Sequence, residues 1–210
     1  MTSTQSSSGG GGTASPADVP ALPEDVLTRL PGRDPEALAA FFDAFFGRVY
    51  GYVRRLVGDD HLAEDLTQDI FLHIQRSIES YDPDRDIRPW VFTIATNKVR
   101  DYWRSRRHRD SLTEESVEQD GSADGISAGR APDADLTEEE MGDQVRQAID
   151  ELPEGMRMTL MLRVYEGLSF EEIGDMFERN EVAVRKRYSR ALELLRQTLG
   201  PAYRIHVEGT

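Results

Sequence analysis

The sequence of 210 residues contains no cysteine, which excludes a disulfide framework and any cysteine-ligated metal site. It also has no apolar run near the roughly 18 residues that a membrane span requires. Its first residues, rich in serine and glycine, lack the charged start and apolar core of a signal peptide. The histidines do not have the spacing of metal ligands, and there is neither a Ser–His–Asp set nor a phosphate-binding glycine loop. We therefore expect a cytoplasmic protein with no catalytic centre, no cofactor, no metal and no membrane partner.

Positive charge is scarce as well, because the net charge is −14, and such a balance argues against binding to nucleic acid. The charge is, however, unevenly distributed. Residues 98–109 have six basic residues and one acidic residue, residues 182–196 have five and one, and residues 110–143 have one and twelve. Attraction to phosphate decays over a Debye length of about 8–10 Å, so the local sign matters more than the total. Two short segments are therefore candidates for contact with nucleic acid.

Composition and periodicity divide the chain into five parts. Residues 1–33 are rich in serine, glycine and proline and predict a disordered tail, and residues 110–136 predict a flexible acidic linker. Apolar residues at helical spacing fill residues 34–109 and 137–200, whereas residues 201–210 predict a second tail. The sequence therefore predicts an all-α fold of two small helical domains joined by the linker.

The first block predicts a long amphipathic helix that begins at Asp34 and ends at Gly58. Its four phenylalanines have helical spacing, and we expect them to form a core face: Phe41, Phe42, Phe45 and Phe46. A second helix begins at Asp59 or Asp60. Its outer face has three polar residues beside Phe71, namely Asp65, Gln68 and Asp69. Taken alone, such an acidic face most often does no more than contact solvent.

The third predicted helix, residues 88–109, differs between its two halves. Its first half has an apolar stripe, whereas its second half holds the basic segment. Phe92, Asn97 and Trp103 lie beside or among these charges and off the main stripe. Cations neutralise phosphates, aromatic rings stack on unpaired bases, and an amide can hydrogen-bond a base edge. The segment therefore predicts a nucleic-acid surface, and a solvated helix with a basic end is the alternative.

The second block ends in a short helix after Ser169, a tight turn at residues 178–181 and a longer basic helix that runs to about Leu199. This order is typical of a helix-turn-helix, which places the first half of its second helix in the major groove of DNA. The candidate contacts in that half are four basic residues and a serine: Arg185, Lys186, Arg187, Ser189 and Arg190. A helical hairpin with a solvated basic face is the alternative.

Two sets of motifs resemble those of bacterial RNA polymerase sigma factors of the extracytoplasmic-function (ECF) type. DLTQDIF at residues 65–71 and RPWVFTIATN at residues 88–97, followed by the arginine run, resemble sigma region 2. LSFEEI at residues 168–173 and AVRKRYSRA at residues 183–191 resemble sigma region 4. The two blocks stand in the order of that family, with an acidic linker and no third domain between them.

The resemblance implies promoter recognition and DNA melting, with core RNA polymerase and promoter DNA as partners. The residues that dock on the clamp of the largest polymerase subunit would be Asp65, Gln68, Asp69 and Phe71. The minus-ten element would be held by a base reader, three phosphate contacts and an aromatic ring: Asn97; Lys98, Arg100 and Arg104; and Trp103. Region 4 would bind the minus-thirty-five element and the polymerase flap. An anti-sigma factor is a further partner that the resemblance implies, although nothing in the sequence identifies one.

The resemblance to region 4 has two departures at the start of the last helix. Ala183 replaces a threonine, and Val182 replaces a usually small residue. The lost hydroxyl and the added bulk affect the expected contacts with the minus-thirty-five element and leave the expected fold unchanged.

Two other functions stay open from the residues alone. A stand-alone helix-turn-helix regulator would use residues 34–109 for dimerisation or sensing and would bind duplex DNA without polymerase. An acidic adaptor would dock through Asp65, Gln68 and Asp69, and its activity would survive charge reversal at Arg185 and Arg187.

Overall fold

The computed structural model describes residues 22–113 and 138–200, which are helical apart from caps and short turns. The amino-terminal domain contains α1 (Glu24–Arg29), α2 (Pro35–Val57), α3 (Asp60–Ser77) and α4 (Ile87–Thr113), with 3-10 turns at Leu30–Gly32 and Ile78–Ser80. The carboxy-terminal domain contains α5 (Glu138–Asp150), α6 (Glu154–Val164), α7 (Phe170–Phe177) and α8 (Glu181–Leu199). The predicted all-α fold of two helical domains is confirmed. The remainder of the predicted tails and linker lies outside the described residues.

Local capping signals set the ends of α2 and α3. The Asp34 side chain accepts a hydrogen bond from the backbone N–H of Ala37 (2.9 Å), and Asp59 accepts one from the N–H of Leu62 (2.8 Å). Gly58 ends α2 with a φ of +70°, in the left-handed region that favours glycine. These contacts satisfy helix-end groups that have no partner within the helix, and the predicted ends are confirmed.

The predicted boundary between tail and domain at residue 33 is wrong. Helix α1 packs on the domain, with Val26 almost fully buried and Leu30 completely buried. The Arg33 side chain then pairs with Glu79 at 2.7 Å. A single helical turn is too short for periodicity to reveal, and its burial depends on contacts supplied by the rest of the domain.

The core of the amino-terminal domain forms where α2, α3 and α4 meet. Phe41 and Phe45 are buried there as predicted, but Phe42 and Phe46 are 45% and 37% exposed. The prediction of one core face was therefore wrong for two of the four rings. A core-facing stripe covers little more than about 100° of a helix, and these four positions span a wider arc.

A buried tyrosine, Tyr52, lies between α2 and α4. Its ring contacts Phe92 edge-on, with 5.3 Å between the ring centroids, and its hydroxyl lies 2.8 Å from the hydroxyl of Thr96. Burial raises the pKa of Tyr52. Phe92 is fully buried, so its predicted place on the nucleic-acid surface is wrong. Because α4 contacts both α2 and α3, its buried face is wider than a single apolar stripe.

In the carboxy-terminal domain, α7 and α8 form the predicted helix-turn-helix. The Ser169 hydroxyl accepts a hydrogen bond from the N–H of Glu172 (3.1 Å), and the Glu172 carboxylate accepts one from the N–H of Ser169 (2.6 Å), which completes a capping box. The turn requires glycine at Gly174, because a Cβ there would lie 2.6 Å from the carbonyl oxygen of Arg179. Asn180 then caps the start of α8.

The two domains pack against each other, α6 against α2 and α7 against α4. Helix α4 also continues to Thr113, beyond its predicted end at residue 109. No local pattern in the sequence predicts the contact between domains, because it joins residues far apart in the chain. Its consequence is that the basic half of α4 lies close to the helix-turn-helix.

Candidate nucleic-acid and partner surfaces

The polar residues predicted on α3 form one exposed face. Asp65, Gln68 and Asp69 are three and four residues apart, so their side chains lie on the same side of the helix, and all three are exposed. Neither carboxylate has an ion-pair partner among the described residues. Unpaired surface carboxylates cost little in water and attract a basic partner, so this face can dock on a protein of complementary charge.

An apolar groove adjoins this polar face. Phe71, half-buried on α3, contacts the exposed rings of Phe42 and Phe46 on α2, with centroid distances of 5.0 and 5.7 Å. The groove has a volume of about 430 Å³, and its lining also includes Gln68 and Leu72. Gln68 therefore belongs to both the polar face and the groove. Exposed apolar patches that are rimmed by polar residues mark protein–protein contacts.

The predicted nucleic-acid contacts on α4 differ in how much of each side chain is exposed. Asn97, Arg100 and Arg104 lie along one side of the helix and are exposed, while Lys98 is half-buried beside them. Trp103 is half-buried against the core, so only part of its ring is available to stack on a base. The arrangement can hold phosphates on two exposed guanidinium groups and a base edge on one amide.

Asp86 fixes the start of α4. Its carboxylate accepts hydrogen bonds from the backbone N–H of Arg88 (2.9 Å) and from the Arg88 side chain (2.8 Å between Nε and Oδ2). Burial alone would raise the pKa of Asp86, but the hydrogen bonds and charge of Arg88 bring it below its ordinary value. The carboxylate therefore stays ionised and holds the first turn of the basic helix in place.

On α8 the predicted DNA contacts divide between two sides. Four of them are exposed: Arg185, Lys186, Ser189 and Arg190. Arg187 is half-buried, with its guanidinium carbon 5.7 Å from the centroid of the Phe177 ring. A position two residues from Arg185 lies about 200° away around a helix, so Arg187 faces away from the exposed side.

Two of the exposed side chains on α8 have partners within the domain. Arg185 pairs with Glu181 and lies over the Phe170 ring at 4.8 Å. The Ser189 hydroxyl donates to the carbonyl of Arg185 at 3.0 Å. At the start of the helix, Val182 is 75% exposed, so its added bulk points into solvent and leaves the helix-turn-helix intact.

Within residues 22–113 and 138–200, no three metal-ligating side chains come together. In the same ranges, no helix is both long enough and apolar enough to cross a membrane.

Two family models match the chain, one after the other. Sigma-70 region 2 matches residues 41–109, and Sigma-70, region 4 matches residues 142–195. The first match covers most of α2 and continues into α4, and the second runs from α5 into α8. Each match therefore falls on one helical domain.

Curated proteins with similar sequences have related names. The chain is 32% identical to the ECF RNA polymerase sigma factor SigK of Mycolicibacterium vanbaalenii, over 84% of this chain and 89% of that protein. It is 35% identical to the RNA polymerase sigma factor CarQ of Myxococcus xanthus, over 79% of this chain and 90% of that protein. Both matches span nearly the whole length of the relative.

Two solved structures share the fold. CnrH in complex with the cytosolic domain of CnrY gives a TM-score of 0.58 at 21% identity, over 82% of this chain and 93% of that chain. The sigma factor RpoE in complex with the anti-sigma factor NepR from Bartonella quintana gives a TM-score of 0.61 at 18% identity, over 78% and 96%. At these identities the likeness concerns the fold alone.

Proposed function

Because the chain belongs to the extracytoplasmic-function family of RNA polymerase sigma factors, we propose how its surfaces divide the work of starting transcription. As a member of this family it directs core RNA polymerase to specific promoters and promotes DNA melting, as a non-enzymatic initiation factor. The observation that carries this function is the pair of family matches, one on each helical domain. They favour a sigma factor over a stand-alone regulator, because a region 2 match has no place in a protein that works without polymerase.

We assign polymerase docking to the face of α3. In support, Asp65, Gln68 and Asp69 are exposed together, and Phe71 joins them to the apolar groove on α2. The clamp of the largest polymerase subunit would cover both. Burial of the apolar part would supply affinity, and complementary charge would supply speed of association and correct register.

We assign the melted minus-ten element to the basic half of α4. In support, the amide of Asn97 is exposed for a base edge, and Arg100 and Arg104 are exposed on the same side for phosphates. Lys98 would add a further phosphate contact from beside this line. Trp103 would offer the exposed part of its ring for stacking by an unpaired base, a contact that is worth about 1–3 kcal/mol when fully formed.

We assign the minus-thirty-five element to the exposed side of α8. In support, Arg185, Lys186 and Arg190 lie in the half of a recognition helix that enters the major groove. Arginine can pair with guanine through two hydrogen bonds, and lysine can contact phosphate. Ser189 donates its proton within the helix but keeps acceptor capacity for DNA. Arg187 would contact DNA only after it leaves its present position beside Phe177.

Two further assignments follow from the work of a sigma factor. Transcription of bacterial DNA takes place in the cytoplasm, and we propose that location for the chain. We also propose the polymerase flap as a contact of region 4 and an anti-sigma factor as a further partner, since one of the solved sigma factors with this fold is bound to an anti-sigma factor.

Transcription in vitro on a genomic DNA library tests the function. Core polymerase is assayed with and without the full chain, and we expect the chain to select a limited set of start sites that share two promoter elements. Arg185→Glu should abolish that selection. Arg196→Glu is the matched control, because Arg196 is exposed on the same helix but outside its first half. If core polymerase gains no start-site selectivity from the wild-type chain, the function is wrong.

A further inference from the structure

Five arginines line a small cleft between α4 and the carboxy-terminal domain. Three of them belong to α4 and two to the helix-turn-helix: Arg100, Arg104, Arg107, Arg179 and Arg187. Among the residues that line the cleft, Glu154 is the one with an acidic side chain, and it pairs with Arg107 at 2.8 Å. The cleft therefore has a large excess of positive charge.

Three of these arginines have no carboxylate partner. Among the described residues, Arg100, Arg179 and Arg187 form no ion pair, whereas Arg104 pairs with Asp101 of its own helix at 3.4 Å. Arginine keeps its proton throughout the physiological pH range, so each of the three side chains stays charged. Three guanidinium groups are therefore available to an anion that enters the cleft.

The three unpaired guanidinium groups lie close enough to repel one another. Burial lowers the pKa of Arg187, and the positive charges of Arg179 and Arg100 lower it further. Like charges around a common space raise each other's free energy, whereas an anion placed between them attracts each in turn. Binding of an anion is therefore favoured by the same geometry that brings the three charges together.

The start of α6 adds to this positive potential. Glu154 and Gly155, the first two residues of the helix, line the cleft, and Pro153 before them gives the first turn no side-chain hydrogen bond. The first backbone N–H groups of a helix have no partner within it and carry the positive end of the helix dipole. They supplement the arginines, which remain the main source of positive charge.

The size of the cleft limits which anion it can hold. Its volume is about 300 Å³, the space of about ten water molecules. A short chain of linked phosphates fills such a space, whereas a DNA duplex, whose major groove alone is about 12 Å wide, cannot enter it. A single phosphate would leave most of the positive charge without compensation. Size and charge together therefore favour a small anion with several negative charges.

We propose that the cleft binds a free oligophosphate, either an inorganic chain or the phosphate chain of a nucleoside triphosphate, between Arg100 of α4 and Arg179 and Arg187 of the helix-turn-helix. Guanidinium groups form paired, charge-assisted hydrogen bonds with phosphate oxygens. Partial burial protects these bonds from screening by salt. The inference goes beyond the proposed function, because the free chain carries this site without polymerase or DNA.

Calorimetric titration of the full chain with tripolyphosphate, without divalent cations, measures the binding. We expect one tripolyphosphate per chain, and we expect Arg179→Ala to weaken its binding about tenfold or more, because a charge-assisted contact is lost. The matched control is Arg190→Ala, which removes the same charge from an exposed position of α8 outside the cleft. Equal affinities of the two variants, or a wild-type dissociation constant above about 1 mM, would overturn the proposal.

Removal of the acidic side chain tests the cleft through a gain of affinity, which loss of folding cannot produce. Glu154→Gln takes the negative charge out of the lining and frees Arg107, so we expect tripolyphosphate to bind about threefold to tenfold more tightly. The control is Glu151→Gln, because Glu151 is exposed nearby but does not line the cleft. If Glu154→Gln binds no more tightly than this control, the cleft is not the binding site.

Titration with ATP distinguishes the two sources of the phosphate chain. Binding of ATP that also depends on Arg179 assigns a nucleotide as one source, and failure of ATP to bind assigns the inorganic chain. Both results agree with the proposal, provided that tripolyphosphate binds.

Titrations with sulfate and with a single-stranded oligonucleotide test the two rival ligands. We expect sulfate to bind at least tenfold more weakly than tripolyphosphate, because it offers fewer charges to the three guanidinium groups. Sulfate that binds as tightly would mean a general anion site and would overturn the proposal. We also expect Arg179→Ala to leave oligonucleotide binding nearly unchanged. A loss equal to that for tripolyphosphate would make the cleft part of a DNA surface and would likewise overturn the proposal.

Discussion

The amino-terminal domain has two faces that differ in what they make available. On α3, Asp65 and Asp69 are exposed and have no ion-pair partner among the described residues. Elsewhere in the domain, Arg48 is half-buried in an ion pair with Glu166 of the carboxy-terminal domain, and Arg100 lines the cleft between the domains. The face of α3 is therefore open to a partner, whereas Arg48 and Arg100 lie at the contact between the two domains. This difference predicts that substitutions on α3 change the binding of a partner, whereas substitution of Arg48 changes the contact between the domains.

The largest expected effect distinguishes the buried side of α2 from the exposed side that adjoins the face of α3. Phe45→Ala should lower the free energy of unfolding by about 3–5 kcal/mol, the range for a buried phenylalanine. Phe42→Ala should lower it by less than about 1 kcal/mol, because that ring is 45% exposed. Denaturant unfolding of the two variants measures the difference. Equal losses would mean that Phe42 belongs to the core and that the groove beside α3 does not exist.

The features that were predicted from the sequence are those that short-range interactions control. Asp34, Gly58 and Ser169 act within one helical turn of themselves, so their residue types are enough to predict the helix ends. The exposed face of α3 also followed from spacing along one helix. In each case the residues that matter lie within four positions of one another along the chain, where the geometry of the helix is already known.

The features that were missed depend on packing between distant residues. Phe42 and Phe46 are four residues apart and form a second stripe beside Phe41 and Phe45, a signal that could have shown them to lie outside the core. The ion pair at Arg48 offers no such signal, because its partner is 118 residues away. Only the packed arrangement of both domains brings these two charges together.

The next largest effect tests the exposed face of α3 directly. Asp65→Ala with Gln68→Ala should weaken binding to core polymerase about tenfold to thirtyfold, or about 1.4–2 kcal/mol. The stability of the chain should not change, because both side chains are exposed. Fluorescence anisotropy of the labelled chain with core polymerase measures the affinity. Glu193→Ala removes an exposed carboxylate from the other domain and serves as control; if the double variant binds as well as this control, polymerase does not dock at these residues.

A smaller effect is expected from Asn97, on the exposed side of the basic half of α4. Asn97→Ala should lower open-complex formation about fivefold to tenfold, because one base contact is worth about 1–3 kcal/mol and only part of it is lost with a single amide. Affinity for core polymerase should not change. Permanganate reactivity of unpaired thymines measures the melted DNA. The control is Ser105→Ala, an exposed residue of α4 that lies off the line of the arginines, and reactivity equal to that of the control would exclude Asn97 as a base reader.

The smallest expected effect is the response of the contact between the domains to pH. Burial raises the pKa of Glu166, against the opposing charges of Arg48, Arg55 and Arg88. In the unfolded chain the carboxyl group returns to water and its pKa returns to the ordinary value, so the folded chain binds this proton more tightly. By linkage, Glu166 favours the folded chain as the pH falls, and this contribution declines as the pH rises until Glu166 is ionised in both states.

The free energy of unfolding, measured with denaturant, should therefore decline from pH 5 to pH 8 by less than about 1.4 kcal/mol on account of Glu166. Glu166→Gln should remove this dependence, because an amide does not titrate. A contribution of Glu166 that grows with pH would mean that attraction to Arg48 exceeds the cost of burying the carboxylate. The expected direction instead describes a contact that is costly to break by mutation yet weak in net free energy.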